Sequence, residues 1–221
     1  PDRFEGMPDG ADLILDEAKL HKHFPYLSTS VIAALHARKA GWFSAQQLGT
    51  YLLDAARKHG ATLLHSQVTG VIQDKGSVRA VRLGDGSEIA AANLINAAGP
   101  YIKEIGRMVD VDLPVYCELH QKVSFRDTLG VIPRHAPLLI LNDPQFLPWS
   151  AAERLELSTD EHLSWLLDEF PSGVHTRPEG GADSNIALML WEYKTRVMQP
   201  VFPPVLDEQY PEIALRGLST M

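Results

Sequence analysis

Cysteine is almost missing from this 221-residue chain, which carries only Cys117. No intrachain disulfide framework and no cysteine zinc site can be built from it, and a reducing compartment such as the cytoplasm is expected. Long apolar runs are missing as well. No stretch approaches the roughly 18 consecutive apolar residues of a membrane span, and no signal-peptide pattern opens the sequence. Basic residues are in deficit, 20 Lys and Arg against 28 Asp and Glu, for a net charge of −8. With no Lys/Arg run to offset that balance, a nucleic-acid groove and an anionic membrane surface are poor candidates for partners. The sequence has no internal repeat and no low-complexity tract. It opens at Pro1 without an initiator Met and stops at Met221 without a closing element. The expectation is an interior fragment of a longer polypeptide.

What is present is ordinary for a globular protein: 45% hydrophobic and 22% charged residues, in a length that suits one large domain or two small ones. The Gly/Pro/Asp-rich residues 1–15 read as loop. Asp16–Phe24 predicts a short helix stopped by Pro25, and Val31–Ala37 an extended segment. Ser44 is placed to cap a helix whose apolar stripe is Leu48, Tyr51, Leu52, Ala55 and Ala56, ending at Gly60. Strands follow at Ala61–Leu64, Gln67–Gln73, Val78–Leu83, Glu88–Ala90 and Leu94–Asn96. Turns fall at Asp74-Lys75-Gly76 and Gly84-Asp85-Gly86, and a helix at Tyr101–Met108. Val68 is expected at the end of a parallel strand neighbouring Leu94–Asn96. Beyond Pro114, strands are predicted at Val115–Phe125, Pro137–Leu141, Gly173–Arg177 and Ile186–Leu190, with a helix at Thr159–Glu169 capped by Thr159. The fold class is therefore α/β (α+β): a partial α/β unit with a β-meander over 41–112, and an antiparallel-sheet domain with a covering helix over 113–221. Residues 1–40 lead into them.

Few residues suggest chemistry. In Leu94-Ile95-Asn96-Ala97-Ala98-Gly99-Pro100-Tyr101 an apolar strand runs into small residues and a proline suited to a first helical position. Such a turn lets a backbone approach a ligand, and the helix start behind it favours an electron-rich group; tight helix–strand packing produces the same pattern. Val68 alone reads as core. His120-Gln121 is expected on a strand with one side chain on each face, where His120 faces a substrate or is a hydrogen-bonded sheet residue. Arg126 and Arg177 suit a carboxylate clamp or surface ion pairs. Tyr193 either orients an amine or packs. Cys117 reads as a buried small residue or a reactive thiol. His21 and His23 lack a carboxylate spaced to complete a metal site.

Gly41-Trp42-Phe43-Ser44-Ala45-Gln46-Gln47-Leu48, Val68-Thr69-Gly70-Val71 and Asn96-Ala97-Ala98-Gly99-Pro100-Tyr101, in this order and spacing, resemble the D-amino-acid-oxidase-like FAD oxidoreductases. Leu113-Pro114-Val115 with His120-Gln121, and Arg177-Pro178-Glu179-Gly180-Gly181, resemble that family's substrate-domain strands. The resemblance implies FAD as cofactor, touched by Val68 and by the turn Ala97, Ala98, Gly99 and Pro100. It implies a small amine or amino acid as substrate, oxidised at a C–N bond by hydride transfer to the flavin, and is compatible with a homo-oligomer. A non-catalytic binding module and a flavin-dependent 2-hydroxy-acid oxidoreductase are the alternatives. Two departures stand out. The only G-x-G, Gly84-Asp85-Gly86, reads as a hairpin turn and not a pyrophosphate loop. The aromatic after the turn is Tyr101 where the family commonly has Trp. This chain alone is accordingly expected to lack a complete FAD site.

Overall fold

A computed structural model describes residues 9–221, which separate into two compact units. One holds the described residues up to Trp42, His120–Thr195 and Val205–Met221; the other holds Phe43–Leu119 and Arg196–Pro204.

The first unit begins with a strand, β1 (Ala11–Ile14), antiparallel to β2 (Ala34–Ala37). The loop expected over 1–15 is thus wrong at Ala11–Ile14, because cross-strand pairing overrides the local Gly/Pro signal. Its first eight residues lie outside the described ones. Between the strands, Asp16 caps α1 (Glu17–His23) by accepting from the Lys19 N–H at 3.0 Å, and Leu20 is fully buried. The larger sheet is wholly antiparallel, in the order β7 (Lys122–Arg126), β10 (Ile186–Leu190), β9 (Val174–Glu179), β8 (Leu139–Leu141). Register fixes its faces. Ala187 and Met189 share one face with Val174, Thr176 and Pro178, all buried, while Ile186, Leu188 and Leu190 share the other with Arg126, Ser124 and Lys122. The buried face lies toward a core of Leu147, Leu157, Leu166, Phe170, Val174, Trp191 and Ile213.

Two helices contribute to that core. The first, α4, spans Ala151–Thr159 and starts in a reciprocal capping box between Ser150 and Glu153. The helix expected over Thr159–Glu169 is therefore misplaced: Thr159 ends a helix, and Ser164–Leu167 is a single 3-10 turn. Its apolar residues are too dense for an amphipathic surface helix; Leu166 is buried and Leu163, Trp165 and Leu167 pack on the same core. The second, α5 (Tyr210–Leu218), buries Tyr210, Ile213, Ala214 and Gly217.

In the second unit Ser44 caps α2 (Ala45–Lys58), and Gly60 follows at φ +90°. The stripe is as predicted in spacing but not in burial: Tyr51 is 70% and Leu52 56% exposed, and the helix has no buried residue. A three-stranded meander, β3 (Val68–Asp74), β4 (Ser77–Leu83), β5 (Glu88–Ala90), is antiparallel throughout. Lys75 and Gly76, both at positive φ, turn its first hairpin. The parallel relation expected for Val68 is absent among the described residues. The stretches 61–64 and 94–96 form no strand, since an apolar run becomes one only where a partner supplies the ladder. A 3-10 turn, Gly99–Tyr101, leads into the six-residue α3 (Ile102–Arg107). The strand expected over Val115–Phe125 is in fact two. Cys117–Glu118 (β6) pairs with Val197–Met198 (β11) in the second unit, and β7 belongs to the first.

Candidate active site

The non-core face of the four-stranded sheet carries both arginines singled out from the sequence. Arg126 pairs with Ile186 and Arg177 with Leu188, so the two flank the central strand β10 on one face. They are two strands apart, about 10 Å across the sheet. Arg126 is exposed. Arg177 is only 16% exposed, and its guanidinium lies 4.9 Å from the ring centroid of Trp42, a cation–π distance. Its Nη1 ion-pairs with Glu179 Oε2 at 2.5 Å, two residues along the same strand and so on the same face. The sequence motif Arg177-Pro178-Glu179 is thus a prebuilt ion pair under an aromatic ring.

His120 and Gln121 do not sit on a strand, because the chain leaves β6 at Glu118 and enters β7 only at Lys122. Strand alternation therefore does not apply to them. The half-exposed His120 brings Nδ1 to 3.3 Å from Glu192 Oε1. Gln121 is a tie. Its Oε1 accepts from the Asp207 N–H at 3.2 Å, and its carbonyl accepts from the Tyr210 hydroxyl at 2.5 Å. That hydroxyl in turn accepts from the Trp191 N–H at 2.8 Å. Tyr210 and Asp207 were missed from sequence, although Tyr210-Pro211 followed by Ile213, Ala214 and Gly217 at helical spacing was a readable signal.

Tyr193 belongs to an aromatic cluster, 5.5 Å between ring centroids from both Phe170 and Trp191, 5.8 Å from Tyr210 and 6.3 Å from Trp165. Its hydroxyl is buried and has no hydrogen-bond partner among the described residues. Burial, with the nearby Asp207 and Tyr210, drives its pKa far above the ordinary phenol value.

The remaining predicted residues lie in the second unit. Asn96 organises the small-residue turn: its Nδ2 donates to the Ile102 carbonyl at 2.8 Å, and its Oδ1 accepts from the Ala98 N–H at 3.4 Å. Gly99 adopts φ +54°, and nothing lies within 4 Å of where a Cβ would stand. Cys117 is half-buried, and its thiol donates to the Pro100 carbonyl at 3.4 Å. The helix behind this turn has only six residues, which limits its dipole. Val68 opens β3, the outer strand of its sheet, whose far side has no strand beside it among the described residues. A turn open at Gly99 and an unpaired strand edge at Val68 both leave main-chain groups accessible to a flat or extended ligand, and to that extent they fit a dinucleotide.

The mixed α/β architecture, with its antiparallel sheets and helices, is shared with solved structures. L-Proline dehydrogenase from P. horikoshii aligns with a TM-score of 0.67 at 17% identity, over 96% of this chain and 48% of that one. Glycine oxidase from Bacillus cereus ATCC 14579 aligns with a TM-score of 0.56 at 14% identity, over 96% and 47%. The chain belongs to the FAD dependent oxidoreductase (DAO) family, whose model matches residues 3–155. Among curated proteins it is 27% identical to mitochondrial dimethylglycine dehydrogenase of Mus musculus over 175 residues, 72% of this chain and 20% of that protein. The Rattus norvegicus protein is 26% identical over the same shares. The chain thus spans about a fifth of the length of these relatives. Among the described residues no helix is long and apolar enough to cross a membrane.

Proposed function

We propose that this chain is the substrate side and part of the cofactor wall of an FAD-dependent enzyme that oxidises a C–N bond of a small amine or amino acid. The observation that carries this reading is the family match over residues 3–155. Its similarity to dimethylglycine dehydrogenases, named for an N-methylated amino acid, favours a C–N bond over the C–O bond of a hydroxy acid. FAD, when bound, supplies the hydride acceptor. In this reading Val68 and the turn Ala97, Ala98, Gly99 and Pro100 hold the cofactor through their main chain. Arg177 and Arg126 receive the substrate carboxylate, which arginine grips with two parallel hydrogen bonds. His120, steadied by Glu192, orients the amine, and Gln121 acts by fixing the entry to β7 against Asp207 and Tyr210. The single cysteine favours the cytoplasm, and cell fractionation tests that against the mitochondrial location named for the relatives.

The deciding experiment is anaerobic titration of the intact parent polypeptide, supplied with FAD, with N,N-dimethylglycine, proline, glycine and lactate. Bleaching of the flavin band by an amine and not by lactate is expected. A band that no amine bleaches overturns the reading.

A further inference from the structure

Arg177 is bound at only one corner. Among the described residues its Nη1 meets Glu179 at 2.5 Å and the Pro178 carbonyl at 3.4 Å, and these are the only hydrogen-bond acceptors it meets. The rest of the guanidinium fork has donors to spare, while Trp42 covers its π face and restricts how it swings. Glu179 is more open, at 39% exposure, and stands on the same sheet face two residues along. A cation and an anion are therefore held side by side next to Ile186, Leu188 and Leu190, on a face whose far strand carries Arg126, Ser124 and Lys122.

We propose that Glu179 is a specificity residue, which holds one corner of Arg177, leaves the rest of the fork to a ligand carboxylate and offers its own carboxylate to the ligand's ammonium group. This rests on the reading above, in which Arg177 receives the substrate carboxylate. A ligand bearing a carboxylate alone sets a second anion on the free side of Arg177, beside Glu179, and brings no cation to offset the repulsion. A ligand bearing both charges sets its carboxylate on the free side of Arg177 and its ammonium on Glu179, so each anion faces a cation. The pair thus selects a zwitterion whose charges are separated by one or two carbons, against simple carboxylates and simple amines. Trp42 is a positioning residue, since it acts only by holding the Arg177 plane.

The test is equilibrium binding of three probes to the protein, read by isothermal titration: N,N-dimethylglycine, acetate and dimethylamine. Glu179→Gln keeps the shape and removes the charge. It is expected to tighten acetate about fivefold and to weaken N,N-dimethylglycine by a similar factor, the scale of a partly exposed ion pair. Arg177→Met is expected to abolish binding of both, and dimethylamine is expected to bind the wild-type protein at least about fivefold more weakly than N,N-dimethylglycine. Trp42→Ala is expected to weaken both while leaving their ratio unchanged, and Trp42→Phe to restore most of the loss. Circular dichroism confirms that each variant is folded. If Arg177→Met loses both ligands but Glu179→Gln leaves their ratio within twofold of wild type, the inference fails and the carboxylate role of Arg177 stands. If Arg177→Met changes neither, or the wild-type protein binds none of the probes, that role fails and the inference falls with it.

Discussion

Adding one methyl group at Gly217 tests how α5 is held. An ideal Cβ there would overlap the Trp191 ring, with Cε3 at 2.8 Å and Cη2 at 2.9 Å. Trp191 has little room to yield. It is 1% exposed, its indole N–H donates to the Pro171 carbonyl at 3.1 Å, and its backbone N–H is bound by the Tyr210 hydroxyl. Overpacking of this kind costs about 1–3 kcal/mol, and a pinned ring with several atoms in conflict belongs at the upper end. Against it stands the helix-propensity gain of alanine over glycine, at most about 1 kcal/mol and less here, one residue from the helix end. The net expectation for Gly217→Ala is a loss of about 2 kcal/mol, or a Tm lowered by about 4–8 °C in a chain of this size. Gly49, inside α2 with nothing within 4 Å of its virtual Cβ, is the internal comparison. Gly49→Ala keeps the propensity gain without the clash and should stabilise by about 0.5–1 kcal/mol. Thermal melts followed by far-ultraviolet circular dichroism measure both. A Gly217→Ala protein that melts at or above wild type would refute the packing assigned to α5.

Two tyrosines a few ångströms apart should respond oppositely to losing their hydroxyls. Tyr193→Phe removes a buried group with no partner among the described residues and should leave stability unchanged or raise it by about 1 kcal/mol, whereas Tyr210→Phe strands the Trp191 N–H and the Gln121 carbonyl and should cost about 1–3 kcal/mol, both read from chemical denaturation. Acid should also find the first turn of α4. Glu153 accepts from the Ser150 N–H and from Arg216, which holds its pKa down to about 2 from the ordinary 4.5. A carboxyl lowered by folding stabilises the native state fully above about pH 4.5 and loses that contribution as pH falls toward 2. Glu153→Gln should flatten the fall in Tm between pH 5 and 2, and an unchanged slope would count against this cap.

The legible parts of this fold are those where one short stretch carries its own geometry. Lys75-Gly76 and Gly84-Asp85-Gly86 announced their turns because positive φ is a local demand, and Ser44 announced α2 because a cap needs only its next three residues. Tertiary pairing was illegible for the opposite reason. Residues 61–64 and 94–96 have the apolar content of strands but no ladder here, and Ala11–Ile14 has little strand signal but finds one in β2. The candidate site divides along the same line. Arg177 and Glu179 could be placed on one face by counting residues, whereas the Trp42 contact and the ties from Gln121 to Asp207 and Tyr210 join residues 86 or more positions apart. No local pattern reports such a contact.

The pairing of β6 with β11 has a kinetic consequence. These two-residue strands belong to the second unit, yet the chain between Glu118 and Val197 builds most of the first, including its entire four-stranded sheet. A ladder this short cannot hold its ends together before the intervening polypeptide has compacted, because closing so long a loop costs entropy that two residue pairs do not return. The clasp therefore forms late, after β7 to β10 have paired. In amide exchange its protons should open before those of the central sheet strands, and protease should cut the chain first at the clasp.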